Sequence, residues 1–326
     1  MDPTLKKAKP AATNLAAVIA LPVFLLIITK LYSPDRVNWG NVWDLLMQAF
    51  NLSILAYGLI FQISAGTMDL SLGAVYILAA VFGGNLALQL GWGLPGMALL
   101  CVLTGLLLGV LSGAFFAIFK IPSFIISIAM MMIFESLSIT LNGGRGVSIP
   151  TQMIVLNAMP WKILIPVVAG AVSFFLYSVT PLGAHAKAVG HNPKVAEVNG
   201  VRSLRVKFLC FTVMGAFAGL YSFVQLGRIG YISGVQNLGS LSISFDALMC
   251  TFLAVAVGIR VNKVLCIYFC AFILQTMKFA LSMFKLPSIF QSIVVGIFVL
   301  VLLGVMNNRS RFADWAERRK IRRIAA

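Results

Sequence analysis

Charge is scarce in this sequence: 10% of its 326 residues are Asp, Glu, Lys or Arg, against about 25% in an ordinary globular domain. With 60% hydrophobic residues and a mean hydropathy of +0.98, the composition excludes a water-soluble globular class and points to a polytopic membrane protein. Histidine is nearly missing. His185 and His191 both fall in one polar stretch, so no Ser-His or metal site is available within the apolar spans, which argues against an intramembrane enzyme. The five cysteines, Cys101, Cys210, Cys250, Cys266 and Cys270, all sit in apolar runs and form no C-x-x-C pair. Cys266 and Cys270 share a helix face, but two thiols without further ligands do not make a metal site; neither metal nor cofactor is expected. No G-x-x-x-x-G-K-[ST] loop is present to cradle nucleotide phosphates, so the chain cannot by itself draw on ATP. The net charge of +16 is not gathered on a folded basic face with interleaved aromatics, so nucleic acid is not an expected partner.

What the sequence has is a series of long apolar runs. About twenty such residues cross a bilayer as a helix, the form that leaves no backbone group unpaired in lipid. That window predicts ten spans, at 14–32, 44–63, 69–90, 95–119, 122–141, 161–180, 208–227, 246–259, 263–284 and 288–306. The expected fold is therefore an all-α polytopic membrane protein, one transmembrane domain over 1–326. The first run follows three lysines and imitates a secretory signal, but it is long and no A-x-A site follows, so it reads as an uncleaved span. With the N-terminus inside, 18 of the 25 Lys and Arg fall on the inner side, including five between Pro181 and Lys207 and seven in the tail at 307–326. The other seven, Lys30, Arg36, Arg145, Lys162, Arg228, Lys278 and Lys285, lie in or toward outer segments. The positive-inside rule then places both termini and the 181–207 stretch in the cytoplasm.

Gly105, Gly109 and Gly113 recur every fourth residue in one span, and Gly215 and Gly219 do so in another, the spacing that lets helices approach closely in lipid. An internal echo is also present. IPSFIISI from Ile121 and LPSIFQSI from Leu286 open two spans that lie five apart, and Asp69 and Asp246 share the same offset. An odd offset makes the two copies enter from opposite sides, which predicts a five-plus-five inverted repeat of the kind used in alternating access.

The stretch from Pro181 to Lys207, PLGAHAKAVGHNPKVAEVNGVRSLRVK, is the only sizeable internal segment that belongs in water. Asn192 suits an N-cap, Pro193 the first turn and Gly200 a left-handed stop, predicting one short helix over Pro193 to Asn199. So short a helix is marginal alone and needs something to lean on; Val195, Val198 and Val201 lie near one face for that purpose. The alternative is a solvated basic connector. Two acids in apolar runs also stand out. Asp69 is placed to cap the span it precedes, accepting from Ser71 or Leu72, with a residue on the solute path or a proton carrier as the alternative. Glu135 lies deep within a span, where it requires a partner or a water-filled cavity.

Several of these stretches resemble the ribose-type (simple sugar) ABC transporter permeases of the branched-chain amino acid/ribose permease family. AKAVGHNPKVAEVNGV is similar to their coupling loop, with Gly190, Asn192, Ala196 and Gly200 matching, while Ala196, Glu197 and Gly200 resemble more loosely the EAA loop of other ABC importers. GTMDLSLG from Gly66 resembles the signature GGIDLSVG; Pro122 to Val147 and TVMGAFAGLYSFVQLGRIGYISG resemble two further spans. After Asp246 the likeness weakens, because LAVAVGIRVNK replaces a Gly-Gly pair and a Gly-rich turn, a departure that would suit one half of a heteromeric pair.

The resemblance covers Asn41 to Asn307 and implies the permease of an importer of simple sugars or similar small polar solutes in a bacterial inner membrane. Its implied partners are an ATP-binding subunit gripping the coupling helix, a second permease subunit (identical or paralogous), an extracytoplasmic solute-binding protein and membrane lipid. Asp69, Glu135 and Asp246 are candidates for structure or for the solute path. An ion-gradient-driven secondary transporter is the alternative function, with Asp69 or Glu135 as its evidence. The solute itself is not legible.

Overall fold

The computed structural model describes residues 24, 27–31, 38–257, 262–284 and 287–307. Most of the expected first span, Gly258, Arg260, Leu286 and the basic tail beyond Asn307 lie outside the described residues. Eleven described helices follow one another: α1 (Trp39–Ser64), α2 (Leu72–Leu90), α3 (Gly93–Phe119), α4 (Ser123–Thr140), α5 (Trp161–Ser178), α6 (Pro181–His191), α7 (Pro193–Val198), α8 (Ser203–Ile229), α9 (Leu241–Val257), α10 (Lys263–Met283) and α11 (Ser288–Asn307). Among the described residues, seven helices (α1 to α5, α8 and α10) are long and apolar enough to cross a membrane, and a shorter apolar stretch covers Leu241–Ala256. The chain is an all-α polytopic membrane protein. Its one departure from helix is a two-residue antiparallel pairing of β1 (Val147–Ser148) with β2 (Tyr231–Ile232). This pairing marks one end of the bundle, and α6 and α7 mark the other.

Helix α1 and the first half of α2 are buried almost throughout, while α3, α4 and α5 keep one face outward. That is how apolar helices divide between a packed core and lipid. The tightest seam joins α3 to α8. Gly105, Gly109 and Gly113 meet backbone of Phe208, Phe211, Gly215 and Gly219, so closely that a Cβ on Gly109 would fall 2.6 Å from the Phe211 carbonyl oxygen. All five cysteines are buried and free. The paired echo is visible as two helix starts, since both α4 and α11 begin at the Ser of a Pro-Ser pair.

Two sequence expectations need correction. The 181–207 stretch holds two helices, not one, because Gly183, Ala186 and Val189 form a buried stripe on α6 too small and too interrupted by polar residues to register as an apolar run. The eighth span begins at Leu241 rather than 246, so Asp246 lies inside the second turn of α9 and does not precede its helix as Asp69 does. The start of α9 is fixed from another helix, which hydropathy cannot see.

Candidate translocation and coupling sites

The chain breaks between α1 and α2. After Ser64, Gly66 turns with φ +71°, and the backbone runs through Thr67 and Met68, whose amide donates to Ser123 Oγ at 3.0 Å. Asp69, with no exposed surface, accepts from the Ser71 amide at 2.7 Å and the Ser71 hydroxyl at 2.6 Å on one oxygen, and from Gln62 Nε2 at 3.3 Å on the other. It thereby ties up donors at the positive end of α2 and links them back to α1.

A second helix begins against this one. Glu135, on α4, accepts from the amides of Leu238 (3.0 Å) and Ser240 (2.8 Å) and from the Ser240 hydroxyl (2.6 Å), so its carboxylate caps α9 from across the bundle. The Ser244 hydroxyl accepts from the Gly73 amide and donates to the Leu70 carbonyl, both at 2.8 Å, joining the start of α9 to the start of α2. Gly73 is required there, because a Cβ would overlap the Ser240 carbonyl oxygen. Two helix N-termini thus abut inside the bundle, each matched to one buried carboxylate. Asp246 belongs elsewhere: it pairs with Lys278 of α10. Reading the sequence missed Gln62, Ser240 and Ser244. A polar Gln62 inside an apolar span was the available signal.

If Asp69 acts as this cap, Asp69→Asn should keep most transport and folded yield, because an amide oxygen accepts the same two bonds and Gln62 can turn its own amide to match. Asp69→Leu should lower the yield of monodisperse protein, leaving about 1–3 kcal/mol of unmet bonding for each stranded donor. Normal yield without transport in the Asn variant would assign the charge itself a role.

At the other end of the break, α6 lies directly on the end of α1, where a Cβ on Gly190 would overlap the Ser64 carbonyl oxygen. Tyr177 anchors the contact. Its hydroxyl bonds Ser64 Oγ at 2.9 Å, its carbonyl accepts from Lys187 Nζ at 3.1 Å, and the ammonium stands 4.0 Å over its ring. Burial, then the positive charge of Lys263, lower the Lys187 ammonium below the usual lysine value. In α7, Asn192 Oδ1 accepts from the amides of Lys194 and Val195 at 3.1 and 3.2 Å, and Gly200 closes the helix with φ +81°. Ala196 faces inward at 4% exposure, whereas Val195 and Val198 are 56% and 90% exposed. Glu197 is also exposed. The helix therefore leans on its own chain through Ala196 and Val201 while presenting two valines outward.

A membrane bundle with one span broken at a buried carboxylate, and a capped helix displayed at its end, defines a transport protein rather than an enzyme. The profile of the family described as branched-chain amino acid transport system / permease component matches residues 41–303, and the chain belongs to that family. It is 26% identical to the ribose import permease protein RbsC of Haemophilus influenzae over 86% of this chain and 88% of that one. It is likewise 26% identical to the autoinducer 2 import system permease protein LsrC of Photorhabdus luminescens (92% and 90%) and 25% identical to the xylose transport system permease protein XylH of Escherichia coli (88% and 89%). No solved structure matches the chain.

Proposed function

We propose that this chain forms the translocation path of an ABC importer for a simple sugar or similar small polar solute. It stands in a bacterial inner membrane with both termini cytoplasmic. About ten spans arranged as two opposed sets of five would make the path, with the α2 and α9 N-termini as the equivalent broken points of the two halves. The partners are an ATP-binding subunit, a second permease subunit and an extracytoplasmic solute-binding protein. Several relatives are named as permeases of sugar transport systems, which supports the solute class, and nothing among them favours an ion-gradient mechanism.

The observation that carries the coupling role is the exposed pair Val195 and Val198 on a helix that is otherwise capped and seated. Exposed valines on a structured arm are what a docking cleft would cover. Gly190 and Ala196 serve the seating, Asn192 and Gly200 the caps, and Glu197 stands beside the valines. Val198→Asp should insert normally but lower ATP-dependent solute uptake about tenfold, the loss of roughly 1.4 kcal/mol at a docking contact. Uptake at the wild-type rate would make the arm a mere connector. Orientation is checked separately: Ser148→Cys should react with a membrane-impermeant thiol reagent in intact cells and His191→Cys should not, and the reverse pattern would overturn the topology.

A further inference from the structure

Three charged side chains within the spans serve no helix start: Arg228 on α8, Asp246 on α9 and Lys278 on α10. Arg228 is one residue from the end of α8, Asp246 five residues past the start of α9, and Lys278 five before the end of α10. At about 1.5 Å per residue, all three lie within roughly 8 Å of the helix ends on the strand side, which is the outer side if the importer reading holds. The Asp246 and Lys278 side chains are each 25% accessible. Charges that reach the surface at this depth cannot face hydrocarbon; they face a water-filled cavity or a polar partner.

A polar row on α8 faces the same region. Tyr221, Gln225 and Arg228 recur at helical spacing; Gln225 donates to the Tyr221 hydroxyl and accepts from Arg228 Nη1 at 3.2 Å. Tyr221 meets the edge of Tyr76 with ring centroids 4.9 Å apart and feels the charges of both Arg228 and Asp246, which joins the row to the ion pair. The Arg228 Nε–H is buried and meets no acceptor among the described residues, and no carboxylate there pairs with the guanidinium. Lys278 already offsets Asp246, so the surplus group is a planar fork of donors beside a carboxylate, a carboxamide and two tyrosines. Adjacent hydroxyls of a polyol, each both donor and acceptor, suit such a set, and tyrosine rings suit its C–H face.

We propose that Tyr221, Gln225, Arg228 and Asp246, steadied by Lys278, form a solute-contact station in the outer half of the path that takes a neutral polyhydroxylated solute. The assignment of the outer side rests on the importer reading. Arg228 is also the cation in the last turn of α8, a role a lysine would fill equally well. The test therefore turns on Arg228→Lys. In cells producing the full-length chain, this variant should reach the membrane at the wild-type level yet take up D-ribose or D-xylose about tenfold more slowly, because an ammonium cannot reproduce the fork. Gln225→Cys should be labelled from outside by a membrane-impermeant methanethiosulfonate, faster than the unsubstituted chain with its five buried cysteines, and the pentoses should slow that labelling. Wild-type uptake in Arg228→Lys overturns the proposal, as does a Gln225→Cys that stays unlabelled. Should Arg228→Lys fail to insert, or should neither pentose be a transported solute, pentose protection at Gln225→Cys decides: protection upholds the proposal and its absence overturns it. Failure of the importer reading looks different, as uptake that survives ATP depletion while labelling at position 225 persists.

Discussion

Placing a single methyl group on Gly215 is expected to separate α3 from α8 and to cost the protein much of its folded yield. A Cβ at Gly215 would overlap the Gly105 carbonyl oxygen and lie 2.7 Å from Gly109 Cα. The obstructing atoms are backbone, so no rotamer change relieves them and the helices must move apart. In lipid there is little hydrophobic drive to hold a loosened pair, and close packing of small residues is what binds them. Overpacking of this kind costs about 3 kcal/mol or more for Gly215→Val and somewhat less for Gly215→Ala. The apparent melting temperature of the purified protein in detergent should fall by roughly 5–10 °C for the valine variant. Gly40→Ala is the control, since a Cβ there meets nothing within 4 Å. Melting temperatures that are alike for Gly215→Val and Gly40→Ala would show that the seam does not hold the bundle together.

That seam was readable in advance because four-residue glycine spacing on a helix has one main physical use in a membrane. The apolar spans were readable for a similar reason, and so was the cap at Asn192, where the signal is local. Asp69 was readable as a helix-starting carboxylate, since Ser71 lies two residues away in the chain.

What the sequence hid is tertiary. Glu135 caps a helix whose first residues lie more than a hundred positions later, so neither its partner nor the early start of α9 follows from hydropathy. The direction in which Ala196 faces depends on where α6 and α8 pass, and α6 itself was concealed by small residues that bury little area. Asp246 looked equivalent to Asp69 by offset, but its partner is Lys278, and the acid that does for α9 what Asp69 does for α2 is Glu135. The likeness between the two halves thus survives at the level of helix starts and buried carboxylates, while the residue that supplies the carboxylate differs.

That exchange of roles makes Glu135 the acid whose loss should matter most. Its two oxygens take three hydrogen bonds, from the amides of Leu238 and Ser240 and from the Ser240 hydroxyl, and its side chain is 3% exposed. Glu135→Leu keeps the bulk but strands all three donors at a site closed to water, at about 1–3 kcal/mol each before relaxation. The first turn of α9 should then fray, and because Ser244 in its second turn holds the Gly73 amide and the Leu70 carbonyl, the start of α2 should loosen with it. Glu135→Gln retains one acceptor and should fall between the two. The expected order of detergent melting temperature is wild type, then Gln, then Leu, with amide exchange at Leu238 to Ser244 and at Leu70 to Gly73 speeding up in the same order. Faster exchange at α9 with α2 unchanged would mean that the two broken helices move independently. Unchanged stability in the leucine variant would remove Glu135 from the structural role and return it to the solute path.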